Sequence, residues 1–510
     1  MSGDERGPAG GDASAATAGE GQQHLGRRAV GGAAVTMAAQ AGKIAIQLLA
    51  VITLARLLTP HDYGLVAMVT ALIGVADTFR DFGLSSAAIQ APHLSRGQQH
   101  NLFWLNTGLG ALLTVLAMAA SPLIAAFYGR PELVPITLAL AASFLINGMA
   151  TQYRADLYRR MLFRRLAVAD TSGPALGLVA AVLAALAGWG FWALVVQQLV
   201  ALATTLLVMA GAAGWIPHLW HRSERVRPFL SFGWRLAGSQ LVTYLGNNID
   251  TIMLGLRVSA AELGVYNRSY QLISAPMSQV RGPLSTVAIP VLSRVQSDDE
   301  RFQRYVAQGQ MVIGYSVVAG LAVVAGSTGP LVDLLLGPQW VDATDILRLL
   351  AVAAGLQMLS FVGYWVYVSK GLVGHLLHYS FLSTGIRVAF VVTGSFFGVM
   401  GVAWAMALSP LIAWPLSFWW LSRRANIPVR ALWLGGLRVV VFAGTVGLAA
   451  AATEALTAGL HVVARLALIL LAAAATYALL SLIPRFRRDL TGVVTMIRQN
   501  LRRRKDEPAS

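Results

Sequence analysis

Lys43, Asp77, Asp250, Arg268 and Arg387 stand deep inside long apolar stretches of a 510-residue chain. A charge surrounded by hydrocarbon is costly, so residues of this kind face one another or a hydrated path. Their depth follows from the helical rise of about 1.5 Å per residue. Asp250 lies six residues before the end of one stretch and Arg268 six after the start of the next, which sets both roughly 9 Å below the same surface. Lys43 and Asp77 fall near one level close to the midplane. Two chemistries fit. In one, Asp77 and Asp250 are charge partners that lock two hairpins by pairing with Lys43 and Arg268. In the other, Lys43, Arg268 and Arg387 form a cationic lumen for an anionic cargo. Arg387 favours the lumen, because its own stretch carries no acid.

Signals for bond-making chemistry are missing. No phosphate-cradling glycine loop, HExxH sequence or Cys/His ligand cluster occurs, and there is no cysteine, so no cofactor or metal is expected and the chain reads as no enzyme. The pair His61-Asp62 would suit a membrane glycosyltransferase or polymerase. Yet Thr59-Pro60-His61-Asp62 also has the S/T-x-x-D/E form of a helix capping box, which accounts for the carboxylate. Pro276, Pro283 and Pro290 recur every seven residues on one helical face; they form either a hinge or tolerated kinks. Tyr364, Trp365 and Tyr367, with Trp419 and Trp420, read as aromatic belts at the membrane interface.

The elements that hold these residues are membrane helices. Hydrophobic residues make up 56% of the chain and charged residues 12%, with mean hydropathy +0.62; a soluble domain would carry about 25% charge. Fourteen apolar runs have the length needed to span hydrocarbon. The net charge of +16 is an orientation signal rather than a nucleic-acid one. Of the Lys and Arg outside the runs, only Arg56, Arg130 and Arg257 follow odd-numbered runs. Arg154, Arg159, Arg160, Arg164 and Arg165 share one loop on the opposite side. By the positive-inside rule both termini are cytoplasmic, in a multi-pass membrane protein.

A repeat organises the runs. Thr59-Pro60-His61-Asp62-Tyr63-Gly64-Leu65 is matched 200 positions later by Ser259-Ala260-Ala261-Glu262-Leu263-Gly264-Val265. The same register pairs Gln40 with Gln240, Leu54 with Leu254 and Leu72-Ile73 with Leu272-Ile273. The repeat spans six runs, an even number, so both copies enter the membrane in one direction, an arrangement used by parallel-repeat transporters. The expected fold is all-α with two six-helix lobes. A tail at 1–25 lacks a signal peptide's apolar core and reads as disordered. An N-lobe at 26–214, a basic linker at 215–229 lying as a helix on the inner leaflet, a C-lobe at 230–422, an extra helix pair at 423–484 and a basic tail at 485–510 complete the chain.

Several strings carry a family likeness: LARLLTPHDYGLVAM (54–68), QQHNLFWLNTGLG (98–110), YRADLYRRMLFRRLAVAD (153–170), GWGFWALVVQQL (188–199), GNNIDTIMLG (246–255), LGVYNRSYQL (263–272) and IPVLSRVQSDDERF (289–302). Together they resemble the polysaccharide exporter family, the Wzx-type lipid-linked oligosaccharide flippases of the multidrug/oligosaccharidyl-lipid/polysaccharide superfamily, its colanic-acid-exporter-like branch most of all. The resemblance implies alternating access of two lobes and transfer of a polyprenyl-diphosphate-linked oligosaccharide across the membrane. It also implies membrane lipids and a polysaccharide polymerase as partners. Asp250 and Arg268 match the family's recurring polar pattern. Related lipid II flippases place acids on the eleventh span for sodium, whereas the eleventh apolar run here, 374–398, offers His378, Ser383, Thr384 and Arg387. A multidrug exporter of the same superfamily is the other reading, although three basic against two acidic deep charges suit a cationic drug poorly.

Reporter fusions test the topology. Fusions after residues 130, 190, 258 and 400 should report the outside, and those after 160, 222, 297 and 427 the inside. Reversal at two sites would overturn it.

Overall fold

A computed structural model describes residues 40–80, 95–219 and 227–492, all of them helix, turn or short coil with no strand among them. The tail at 1–25 and residues 493–510 of the basic tail lie outside the described residues, as do 220–226 of the linker. The long helices are α1 (Gln40–Leu57), α2 (Pro60–Arg80), α3 (Arg96–Tyr128), α4 (Leu133–Arg159), α5 (Phe163–Leu186), α6 (Trp192–Ala213), α7 (Arg227–Arg257), α8 (Ala260–Arg294) and α9 (Asp299–Ala325). A short α10 (Thr328–Leu335) precedes α11 (Ala343–Ser369), α12 (Val373–Ser395), α13 (Gly398–Ser422), α14 (Val429–Leu456) and α15 (Val462–Leu482). Eleven of these are long and apolar enough to cross a membrane. The other long helices, α2, α7 and α8, have 21, 31 and 35 residues and are more polar.

The chain divides into two compact units. One takes the described residues up to Leu54, with Ile73–Leu123 and Val134–Leu241; the other takes Ala55–Leu72, Ile124–Leu133 and Val242 onward. In the first, α3 to α6 pack around Phe103, Tyr153, Leu157, Leu166 and Met209. The expected interfacial helix in the linker does not form over Trp215–Leu219, which is irregular backbone. Trp215 turns inward instead, its ring 4.8 Å from Tyr153 and 5.4 Å from His100. An indole that packs on the bundle is no longer available to the leaflet.

In the second unit the two repeated turns meet. Asp62 accepts from the Thr59 N–H at 2.9 Å, and Glu262 accepts from the Ser259 N–H at 2.9 Å, so both capping boxes are formed. Just beyond them α2 and α8 cross at two glycines. A methyl on Gly64 would strike the Ala260 carbonyl, and one on Gly264 would strike that of Pro60. Helices in lipid associate by close packing rather than by hiding from water, so a residue without Cβ at each crossing point is what permits the approach.

One of the fourteen apolar runs, 306–336, is broken in the structure. α9 contains a π-helical segment, Gly314–Val318, and ends at Ala325 before α10 begins. Glu454 of α14 accepts the Gly329 N–H at 2.9 Å, replacing a helical bond at that break. A π segment misdirects one carbonyl, and that of Tyr315 accepts from Tyr477 of α15 at 3.1 Å. The Tyr315 hydroxyl donates to Asp489, in a terminal helical stretch at 484–492, and Arg438 pairs with the same carboxylate at 2.8 Å. The extra helices are thus clamped to α9. Trp365 and Tyr367, expected in an interface belt, are instead inside this unit, 3% and 0% exposed. Trp419 keeps an interfacial character, half exposed beneath Arg423.

The clamp sets a stability prediction. Asp489→Ala strands the Arg438 guanidinium and the Tyr315 hydroxyl and should cost about 1–3 kcal/mol, read as a lowered Tm in detergent. Tyr315→Phe should cost less, and equal loss from both would refute the clamp.

Candidate functional site

Among the described residues, each unit has a cavity with a cation and other polar side chains in a partly apolar wall. In the first, a cavity of about 330 Å³ is lined by Lys43 of α1, Asn147, Thr151 and Arg154 of α4, Asp170 of α5 and Thr205 of α6. Arg154 grips Asp170 with two hydrogen bonds, at 2.7 and 3.3 Å, across the α4–α5 hairpin. Lys43 is exposed toward this cavity. The expected Lys43–Asp77 ion pair is not formed, and α1 near Lys43 lies beside Thr171 of α5. Equal depth fixes a level in the bilayer, not the face of the helix.

In the second unit the expected Asp250–Arg268 pair is absent as well. Asp250, 3% exposed, accepts from the Tyr266 hydroxyl at 2.7 Å and from the Thr251 N–H at 2.9 Å. Arg268, 7% exposed, donates to the Tyr63 hydroxyl at 3.1 Å and to Gln271 at 3.2 Å, and its guanidinium lies 4.5 Å from the Tyr63 ring centre. The reason is helical phase. Residues two apart on a helix do not share a face, so once Tyr266 of α8 meets Asp250 of α7, Arg268 is turned toward α2. Tyr270, one turn after Tyr266, stacks on it with centres 6.3 Å apart.

A cation that does contact α7 close to Asp250 is Arg387. It reaches from α12 to the Gly246 carbonyl and to Asn247 Oδ1 at 2.7 Å, one turn before Asp250 on α7. Thr384 lies against Gly246 on the same contact. Arg387 therefore serves as a bridge from α12 to α7.

A second cavity, about 320 Å³, is lined by Tyr270, Ser274, Ser278 and Arg281 of α8 and by Gln357 of α11. The apolar run stops at 289, but α8 continues to Arg294, so Arg281 stays within the bundle. It donates to Gln357 at 3.5 Å, its guanidinium lies 5.6 Å from the Phe361 ring centre, and its buried Nε has no protein partner among the described residues. The unmet donor makes Arg281 the cation here best placed to receive an anion. Pro276, Pro283 and Pro290 all lie within α8, which stays one continuous α-helix through them.

Sequence reasoning missed Asp170, Arg154 as a cavity residue, and Arg281. Arg154 and Asp170 sit almost equally far on either side of the turn at 160–162, a spacing that would have paired them.

Comparison with known proteins agrees with this architecture. The chain is 27% identical to the lipopolysaccharide biosynthesis protein WzxC of Escherichia coli (strain K12), over 74% of this chain and 77% of that one. It is 27% identical to the teichuronic acid biosynthesis protein TuaB of Bacillus subtilis (strain 168), over 72% and 77%. Among solved structures, the inward closed lipid II flippase MurJ superposes with TM-score 0.65 at 12% identity, over 89% of this chain and 99% of that one. An inward-facing multidrug resistance MATE family transporter gives 0.58 at 16%, over 76% and 95%; at such identities these two matches establish the fold alone. The profile of the family described as polysaccharide biosynthesis protein matches residues 53–345, more than half of the chain, and the chain belongs to that family.

Proposed function

We propose that this protein is a flippase that moves a polyprenyl-diphosphate-linked oligosaccharide from the inner to the outer leaflet of the cytoplasmic membrane, for assembly of a surface polysaccharide. Family membership and relatives named for lipopolysaccharide and teichuronic acid biosynthesis support the cargo class. The observation that carries the reading is a cation in the wall of a cavity in each compact unit, Lys43 with Arg154 in one and Arg281 in the other. A diphosphate cannot enter hydrocarbon unaided, because desolvating an ionised group costs tens of kcal/mol in an apolar medium. Fixed cations along a hydrated path lower that barrier, while the polyprenyl tail stays in lipid.

On this reading fourteen helices span the bilayer, α2, α7 and α8 being polar because they border the path. Both termini are cytoplasmic and the two halves rock as lobes. Lys43 is the first contact for the phosphates, since a compact ammonium serves as a point charge. Arg154 joins when the cargo displaces Asp170. Arg268 and Arg387 contribute positive potential while their terminal nitrogens hold side-chain and backbone contacts, and the prolines of α8 let it bend. The MATE-like fold alone does not set the cargo, and the basic cavity walls disfavour a cationic drug. Catalysis by Asp62 is disfavoured too, since its carboxylate is engaged by the Thr59 N–H and hydroxyl.

Complementation of a flippase-deficient strain tests the cavities. Lys43→Ala and Arg281→Ala should each reduce export roughly 10- to 100-fold, the worth of a charge-assisted contact, at unchanged protein level, with lipid-linked oligosaccharide accumulating inside. Lys43→Arg should retain partial function. Export at the normal rate by a Lys43→Ala/Arg154→Ala/Arg281→Ala protein would remove the cationic path from the account.

A further inference from the structure

The end of α1 and the stretch from the end of α10 through the turn after it satisfy each other's carbonyls through side chains. A helix leaves its last carbonyls without intrahelical partners. At the end of α1, the Ala55 carbonyl accepts from Trp340 Nε1 at 2.8 Å and from Gln339, and the Leu58 carbonyl accepts from Gln339 at 3.1 Å. In return, Arg56 donates to the Leu334 carbonyl, near the end of α10, at 2.7 Å. Trp340 lies in a single 3-10 turn, Pro338–Trp340, is fully buried, and meets the Tyr63 ring edge-on at 5.4 Å. Tyr63 also receives Arg268. Alongside, Arg130 from the α3–α4 turn donates to the Val258 carbonyl at the end of α7.

We propose that the turn at 337–340, together with Arg56, Tyr63 and Arg268, is an external latch. It holds the outer ends of the first-half hairpins against the second half and must open before cargo leaves to the outer leaflet. The inference rests on the flippase reading and its topology. Three features argue for a device that opens rather than a permanent weld. The bonds run from side chains to helix-end carbonyls, which water can satisfy at the membrane surface when they separate. Arg56 and Gln339 are exposed, so their bonds exchange with solvent at little cost. The closest packing at the latch, at Gly64 and Gly264, is backbone against helix, which separates without rearranging side chains. Arg268 is thereby a latch residue before it is a cargo residue.

The absence of cysteine makes the test direct. Leu58, 2% exposed beneath Gln339, is changed to Cys as a reporter and labelled in intact cells from outside with a membrane-impermeant maleimide. Arg56→Ala and Gln339→Ala, both at exposed positions, should each raise the labelling rate about tenfold, and Arg56→Lys should bring it back toward the parent. Tyr63→Phe, which keeps the ring and removes the acceptor for Arg268, should give a smaller rise. Labelling unchanged by Arg56→Ala and Gln339→Ala together overturns the latch even if export is normal. Labelling that rises in a protein moving no lipid-linked oligosaccharide leaves the latch standing and discards the cargo.

Discussion

Each ionisable group inside this helical bundle must find an answer within the protein, because hydrocarbon offers none. That constraint sorts the deep polar residues into two kinds. Asp250 is answered by the Tyr266 hydroxyl, Arg268 by Tyr63 and Gln271, and Arg387 by the Gly246 carbonyl and Asn247. Lys43 and Arg281 face cavities instead. The first kind ties helices together, and the second leaves charge available to a cargo. Arg154, held by Asp170 yet lining a cavity, belongs to both kinds and makes an exchange of anions possible at that site.

Local chemistry was legible in the sequence, and helical phase was not. The capping boxes at Thr59 and Ser259 were readable because their parts lie within four residues, and both form. The offset that pairs these turns also pairs Gly64 with Gly264, whose reciprocal contacts follow the same register. The pairing of Asp250 with Arg268 failed because residue counting gives depth and not azimuth. Arg387 reaching α7 joins residues 140 positions apart, and no periodicity in either helix announces it. The place of Arg281 was hidden for a different reason, since an apolar run marks where the hydrocarbon ends and not where the helix ends. The π segment in α9 left no sign in hydropathy, since it alters the hydrogen-bond ladder without changing the residue types.

Fold and cargo rest on separate grounds. The helical architecture resembles both a lipid II flippase and a multidrug transporter, so it does not choose between them. The choice comes from family membership and from the sign of the charges that border the cavities. The basic residues that line those two cavities are Lys43, Arg154 and Arg281, and Asp170, paired with Arg154, is the acid among them. A site that must release what it binds needs contacts that are transient, and a lysine and a shared arginine suit that better than a closed set of bidentate clamps.

Transfer by the purified protein in lipid vesicles is the most direct measurement. A fluorescent polyprenyl-diphosphate oligosaccharide is placed in one leaflet, and its arrival in the other is followed by accessibility to an impermeant quencher. The account predicts transfer well above that of empty vesicles, and no such acceleration for an analogue whose diphosphate is replaced by an uncharged linkage. Equal acceleration of the charged and uncharged lipids, or none of either, would contradict a cationic path for a diphosphate cargo.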